Sequence, residues 1–334
     1  MQGEIPKAEQ LEEQVFSINN AATFKTAALA VYCFQYHNNP VYRKYCNLLK
    51  SAPENVSAIE QIPFLPISFF KTHEVKAGQF SPQVVFESSS TTGLVPSRHL
   101  VKEKRIYEKS FQKGFETFYG DPQDYCILGL LPSYLERGGS SLVYMVDSLI
   151  QKSGHPQSGF YLYEHQKLAQ TLSELEAKRQ KTLLIGVTYA LLDFAEQFPM
   201  PLKHTIIMET GGMKGRKKEL VRDEVHQILK DAFKVPQVHS EYGMTELLSQ
   251  AYAKENGVFS TPPWLQVLLR EEDDPLTLLS TIRNGGINVI DLANIYSCSF
   301  IATEDSGRIN NDGTFNVLGR FDHAEVRGCS LMAL

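Results

Sequence analysis

The sequence is short of cysteine, of positive charge and of long apolar runs, and each shortage removes a class of protein. Its five cysteines (Cys33, Cys46, Cys126, Cys298, Cys329) are an odd, scattered set with no Cys-x-x-Cys pair. That pattern argues against a disulfide framework and against a zinc cluster. No apolar stretch approaches the roughly 18 residues needed to cross a bilayer; Ala27 to Phe34 is typical of the longest. The formal net charge is −5, so neither nucleic acid nor an anionic membrane is expected as a partner. Met1 to Gln10 is polar and acidic, unlike a secretory signal. A cytoplasmic protein with reduced thiols is expected. Internal repeats and low-complexity segments are also lacking.

What is present is ordinary for a soluble globular chain: 43% hydrophobic and 21% charged residues. At 334 residues the chain exceeds what one hydrophobic core usually serves, so subdomains or one large α/β unit are expected. Apolar residues recur at helical spacing from Gln10 to about Ser51, broken by Asn-Asn-Pro at 38–40. Pro63 and Pro66 favour extended chain between Gln61 and Lys71. Strands and helices then alternate. Strands are read at Val84–Phe86, Tyr125–Leu131, Thr182–Val187 and Thr205–Met208. Helices are read at Lys102–Tyr119, Ser140–Ser153, His165–Arg179, Thr188–Gln197 and Lys217–Phe233. This is the pattern of an α/β fold with parallel sheets and crossover helices. From Trp264 onward, short apolar runs and Gly-rich turns imply antiparallel strands or a small barrel.

Four segments carry chemistry. Ser88, Ser89, Ser90, Thr91, Thr92 and Gly93 follow a strand and make a loop whose hydroxyls and backbone N–H groups can converge on an anion, with Arg98 and His99 within reach. It is not a Walker loop, because no Gly-Lys-Ser/Thr is present. Glu209-Thr210-Gly211-Gly212 lets the backbone approach a planar ligand. In the segment from Val238 to Glu246, Tyr242 offers a flat face, Gly243 a turn, Thr245 a hydroxyl and Glu246 an oxygen ligand suited to Mg²⁺. Last come Thr303-Glu304-Asp305 and Gly319-Arg320-Phe321-Asp322, in which Asp305 can accept hydrogen bonds from a ribose diol and Arg320 can bridge ribose and phosphate. Each segment alone also suits a structural turn.

Taken in order, the set resembles the adenylate-forming superfamily of acyl-CoA synthetases, peptide-synthetase adenylation domains and luciferases, over roughly Phe86 to Gly328. The resemblance implies the superfamily's large core, made of parallel sheets with crossover helices and a small antiparallel barrel. It implies that Ser88 to Gly93 hold the phosphates of ATP and that Gly211 and Gly212 border the adenine. Tyr242 would stack near the adenine, Thr245 contact phosphate, Glu246 bind Mg²⁺, and Asp305 and Arg320 hold the ribose. There are departures. Ser90 stands where Gly is usual, the usual Pro-Lys after the loop is replaced, leaving the basic role to Arg98, and the hinge at Gly319 to Gly328 is one residue short.

The largest departure is the end of the chain at Leu334, where the superfamily continues into a mobile lid with a catalytic Lys; a core lacking that domain is expected, with Lys214 or Arg216 helping to neutralise phosphate charge. Cys329 sits on a Gly-hinged terminus beside Arg327, where a thiolate is favoured. This layout, with Asn38 to Arg43 and Ile62 to Lys71, resembles the fatty acyl-protein synthetase (luciferin-component ligase) family. It implies ATP-dependent activation of a fatty or other carboxylic acid, transfer to Cys329, and delivery to an acyl-reductase or acyl-carrier partner. The expected division is an N-terminal segment (1–85), an adenylation core (86–318), and a hinge and cysteine tail (319–334). An acyl pocket is expected among Leu130 to Tyr144 and Ile185 to Phe194. Two alternatives stay open: a CoA ligase of the phenylacetate type, and a non-catalytic nucleotide-binding subunit.

Overall fold

The computed structural model describes residues 5–88, 95–131, 139–211, 220–279 and 283–321. Three helices open the chain: α1 (Ala8–Val15), α2 (Ala21–Asn38) and α3 (Pro40–Leu48). The Asn-Asn-Pro break works through Asn39, whose side chain accepts the Tyr42 N–H at 3.0 Å and caps α3, with Pro40 in its first turn. The Asn39 amide also donates to Ser297 O at 3.0 Å, and Tyr42 donates its hydroxyl to Pro63 O at 2.7 Å. Between the prolines runs β1 (Leu65–Pro66), followed by the short helix α4 (Phe69–Thr72).

Next comes an antiparallel pair, β2 (Val84–Glu87) and β3 (Arg98–Val101), with Glu87 opposite Arg98. The hydroxyl-rich segment is therefore the connection of a β-hairpin. The sequence shows β2 but not β3, because His99, Leu100 and Val101 are all buried and leave no alternation to read.

The alternating region follows: α5 (Lys104–Tyr119), β4 (Cys126–Leu130), α6 (Ser141–Ser153), β5 (Gly159–Phe160), α7 (His165–Ala177), β6 (Thr182–Val187), α8 (Thr188–Gln197), β7 (Thr205–Thr210), α9 (Arg222–Phe233) and β8 (His239–Tyr242). Strands β5, β4, β6, β7 and β8 lie side by side in parallel. Every residue of β4 and β6 is buried, as expected of strands covered on both faces. At Gly186 a Cβ would sit 2.9 Å from Leu191 Cγ and 3.0 Å from Leu130 Cβ, so glycine lets α8 close onto the sheet.

The remaining strands are β9 (Ala251–Ala253), β10 (Val258–Ser260), β11 (Leu265–Arg270), β12 (Asn284–Asp291), β13 (Phe300–Ile309) and β14 (Phe315–Arg320). All pair antiparallel and prolong the same sheet, giving the order β11-β12-β13-β14-β10-β9-β8-β7-β6-β4-β5, with β1 parallel to β13. The expected small barrel is thus replaced: among the described residues these strands extend the sheet instead of closing on themselves. β8 is where parallel pairing gives way to antiparallel pairing, and the candidate residues gather around it. No helix among the described residues is long and apolar enough to cross a membrane.

Candidate active site

Ser88 stands at the foot of the hydroxyl-rich connection. Its Oγ accepts the Ser97 N–H at 2.9 Å, and its own N–H donates to Ser97 O at 3.1 Å. Ser97 is buried. Burial raises the Glu246 carboxyl above its ordinary value, opposed by Ser97 and by the charges of Arg320 and Lys71. Ser89, Ser90, Thr91, Thr92 and Gly93 lie outside the described residues.

Thr245 and Glu246 follow β8 in a turn fastened from behind. The ring nitrogens of buried His99 lie 2.8 Å from Thr245 O and 3.0 Å from Asn294 Oδ1. Asn294 donates its amide to Glu246 O at 2.8 Å and to Cys298 O at 3.0 Å. Burial pushes the His99 pKa down to about 4, so the ring is neutral and faces inward, not toward an anion. Arg98, its neighbour, is exposed and lies 3.5 Å from Glu87. The segment holding Asn294 is pinned in turn by Gln35 of α2, which donates to Asn294 O, Ile295 O and Ser299 Oγ and accepts from Ser299 N.

Tyr242 donates its hydroxyl to Asp305 Oδ2 at 2.8 Å, and Arg320 Nε lies 3.5 Å from Asp305 Oδ1. Asp305 and Arg320 meet because they are directly opposed on β13 and β14. Burial raises the Asp305 carboxyl, with the Tyr242 bond and Arg320 acting against it. Rings of Phe315 and Phe259 flank Tyr242 with centroids at 5.7 and 5.9 Å. At Gly243 a Cβ would lie 2.5 Å from Glu241 Oε1, so a side chain there would displace that carboxylate.

Gly211 follows β7 with φ +67°, and its carbonyl accepts the Thr188 hydroxyl. Gly212, Lys214 and Arg216 lie outside the described residues, as do 132–138 of the expected acyl pocket and the tail from 322 with Cys329. Of that pocket's described parts, Leu130, Ile185 and Leu191 are core residues.

The sequence reading assigned no role to two buried carboxylates at the ends of adjacent parallel strands. Glu241 accepts the Thr210 hydroxyl. Burial pushes its pKa up to about 7, helped by the nearby charge of Glu209. Burial also works to raise Glu209, but His226, with Nε2 3.7 Å away, and the Arg222 charge outweigh it and hold that carboxyl below its ordinary value. Acidic residues at the carboxyl ends of neighbouring strands, where α/β sheets bind ligands, are the signal that marks the pair.

Ser88, the Thr-Glu turn and the Asp–Arg pair gather around the end of β8, on the architecture of the adenylate-forming enzymes. An open form of 2-hydroxyisobutyryl-CoA ligase, solved with 2-HIB-AMP and CoA, matches with a TM-score of 0.62 at 12% identity, covering 97% of this chain and 81% of that one. ATP-bound MatB from Rhodopseudomonas palustris matches with a TM-score of 0.54 at 14% identity, covering 84% of this chain. The chain spans only 58% of the length of that MatB.

Within that class, residues 12–333 match the family described as acyl-protein synthetase, LuxE, and the chain belongs to it. The long-chain-fatty-acid–luciferin-component ligase of Vibrio harveyi is 24% identical over 325 residues, covering 90% of this chain and 84% of the ligase.

Proposed function

We propose that this chain uses ATP to activate a long-chain fatty acid as an acyl-adenylate, then transfers the acyl group to a protein thiol, Cys329 of the same chain, for delivery to a reductase or another acyl acceptor. In this reading residues 86–318 act as the adenylation core. The observation that carries it is strand β3, which closes on Ser88 at the foot of the hydroxyl loop through Ser97 and, two residues on, meets the Thr-Glu turn through His99, 2.8 Å from Thr245 O. A triphosphate lying on the loop then has an anionic oxygen ligand beside it. The Vibrio harveyi relative, named for joining a long-chain fatty acid to a luciferin component, supports the choice of substrate and of a reductase-type partner.

The donor set fits Mg²⁺. Among the described residues no three His, Cys, Asp or Glu side chains gather into a metal site. A single buried carboxylate, Glu246, suits a cation that keeps water and phosphate as its other ligands. When bound, Mg²⁺ neutralises phosphate charge. The chain's own residues do the positioning: Thr245 and the loop hydroxyls contact phosphate, Asp305 and Arg320 hold the ribose, and Gly211, Gly212 and Tyr242 border the base. A carboxylate oxygen of the fatty acid attacks the α-phosphorus, the bond to the β-phosphate's bridging oxygen breaks, and pyrophosphate leaves. The Cys329 thiolate then attacks the acyl carbon and AMP departs, leaving a thioester.

Fatty-acid-dependent exchange between pyrophosphate and ATP tests the first step. It is expected in the native chain and lost in Glu246→Gln; its absence with every carboxylic acid refutes the reading. For the second step, Cys329→Ser should keep exchange and lose hydroxylamine-labile acyl label, whereas persistent label would assign the acceptor to another residue.

A further inference from the structure

Helix α4 and strand β3 together line a cavity of about 150 Å³, walled by Phe70, Lys71, His73, Glu74, Arg98 and Leu100 among others. A cavity of about this volume admits a benzene-sized guest, which is space for one or two phosphoryl groups. Its charges are unevenly engaged. The carboxylate of Glu74 is taken by Lys76 at 2.8 Å. Arg98 lies 3.5 Å from Glu87, with both side chains about half exposed (52% and 51%), a pair weak enough to be exchanged for another anion. Lys71 is exposed, and among the described residues it has no carboxylate within ion-pair distance. A cation with no ion-pair partner among the described residues thus shares a cavity with Arg98, whose chain neighbours Ser97 and His99 bond to Ser88 and to Thr245 O, and so stands at the phosphate end of the proposed site.

We infer that Lys71 and Arg98 form the seat of the departing diphosphate, holding the two phosphoryl groups of ATP that leave as pyrophosphate. This rests on the adenylation reading and extends it to residues outside the loop and the Thr-Glu turn. The α-phosphorus–oxygen bond breaks and the bridging oxygen carries its electron pair into pyrophosphate. The two cations stabilise the charge that accumulates there, and Lys71 neither gains nor loses a proton.

Calorimetric titration with inorganic pyrophosphate, compared with AMP, tests the seat without requiring turnover. Lys71→Gln is expected to weaken pyrophosphate about tenfold, the worth of one charge-assisted hydrogen bond. AMP binding should be unchanged, and Lys71→Arg, which keeps the charge, should bind pyrophosphate nearly as the native chain does. Lys71 is exposed, so its variants should fold, and matching circular dichroism melts check this. Native-like pyrophosphate binding by Lys71→Gln overturns the inference. So does an equal loss of AMP, a failure of Lys71→Arg to restore binding, or a native chain that does not bind pyrophosphate. Lys71-dependent pyrophosphate binding without any carboxylate-dependent exchange supports the seat while refuting the adenylation reading, so the two failures are distinguishable.

Discussion

The phenol of Tyr242 donates to Oδ2 of Asp305 at 2.8 Å, fastening the last parallel strand of the sheet to an antiparallel strand that lies four places further along it. In the proposed site the contact sets the ribose acceptor relative to the face that borders the base. Tyr242→Phe removes the donor and leaves a largely buried carboxylate with Arg320, whose side chain is 81% exposed and supplies a screened contact. Losing a hydrogen bond to a charged group is expected to lower unfolding free energy by roughly 1.5–3 kcal/mol, read by urea denaturation at neutral pH, and to raise the KM for ATP. Unchanged values for both would show that the bond does no positioning.

Ser97 offers a sharper dissection of the phosphate end. Ser97→Ala keeps the backbone N–H that Ser88 accepts but removes the hydroxyl that helps hold the Glu246 carboxyl down. The carboxyl, already raised by burial, should rise further. Activity should therefore require higher pH or more Mg²⁺ than the native chain, with little change in melting temperature. A magnesium titration of exchange rate at several pH values checks this, and a Mg²⁺ requirement identical to the native one would contradict it.

Glu241 gives a stability signature with a definite sign. Its pKa is pushed from 4.5 up to about 7, so the folded state binds a proton that the unfolded state has lost between those values. The stability this group contributes is complete below about pH 4.5 and disappears as pH rises through 7. Glu241→Gln, which can still accept the Thr210 hydroxyl, should be more stable than the native chain at pH 8, by up to roughly 3 kcal/mol. Near pH 4.5 the two should be similar. Thermal melts across that range measure the difference; a constant difference would mean that Glu241 does not titrate there.

Gln35 lies far from the nucleotide elements in sequence yet supports them. It makes four hydrogen bonds to the segment that carries Asn294, and Asn294 holds the backbone of Glu246. Gln35→Ala removes all four bonds from this buried segment, including the donor to Ile295 O and the acceptor for the Ser299 N–H, and should destabilise by about 2–4 kcal/mol. Exchange activity should fall even at temperatures where the variant remains folded. Lost stability with full activity would separate the N-terminal helices from the site.

How much of this was legible in the sequence follows from what is local. Thr182–Val187 and Thr188–Gln197 read at their observed bounds, because a run of buried strand residues passes directly into a helical pattern. The hydroxyl loop, the Thr-Glu turn and the Asp–Arg hairpin are contiguous segments and could be seen as such. The residues that join them could not. His99 meets Thr245 across 146 positions, and Gln35 meets Ser299 across 264; a histidine or glutamine on an apolar element gives no hint of so distant a partner. The barrel was misjudged for a related reason. Short strands with tight turns specify antiparallel neighbours, but whether their edges close or continue a sheet depends on pairings such as β10 with β14, far apart in the chain.

On the proposed function, a carboxylate oxygen attacks the α-phosphorus of ATP. The most direct test supplies a long-chain fatty acid whose carboxyl oxygens are replaced by heavy oxygen, with ATP and Mg²⁺, and weighs the products. One heavy oxygen is expected in each AMP released and none in pyrophosphate. Unlabelled AMP, or label appearing in the phosphate products instead, would contradict it.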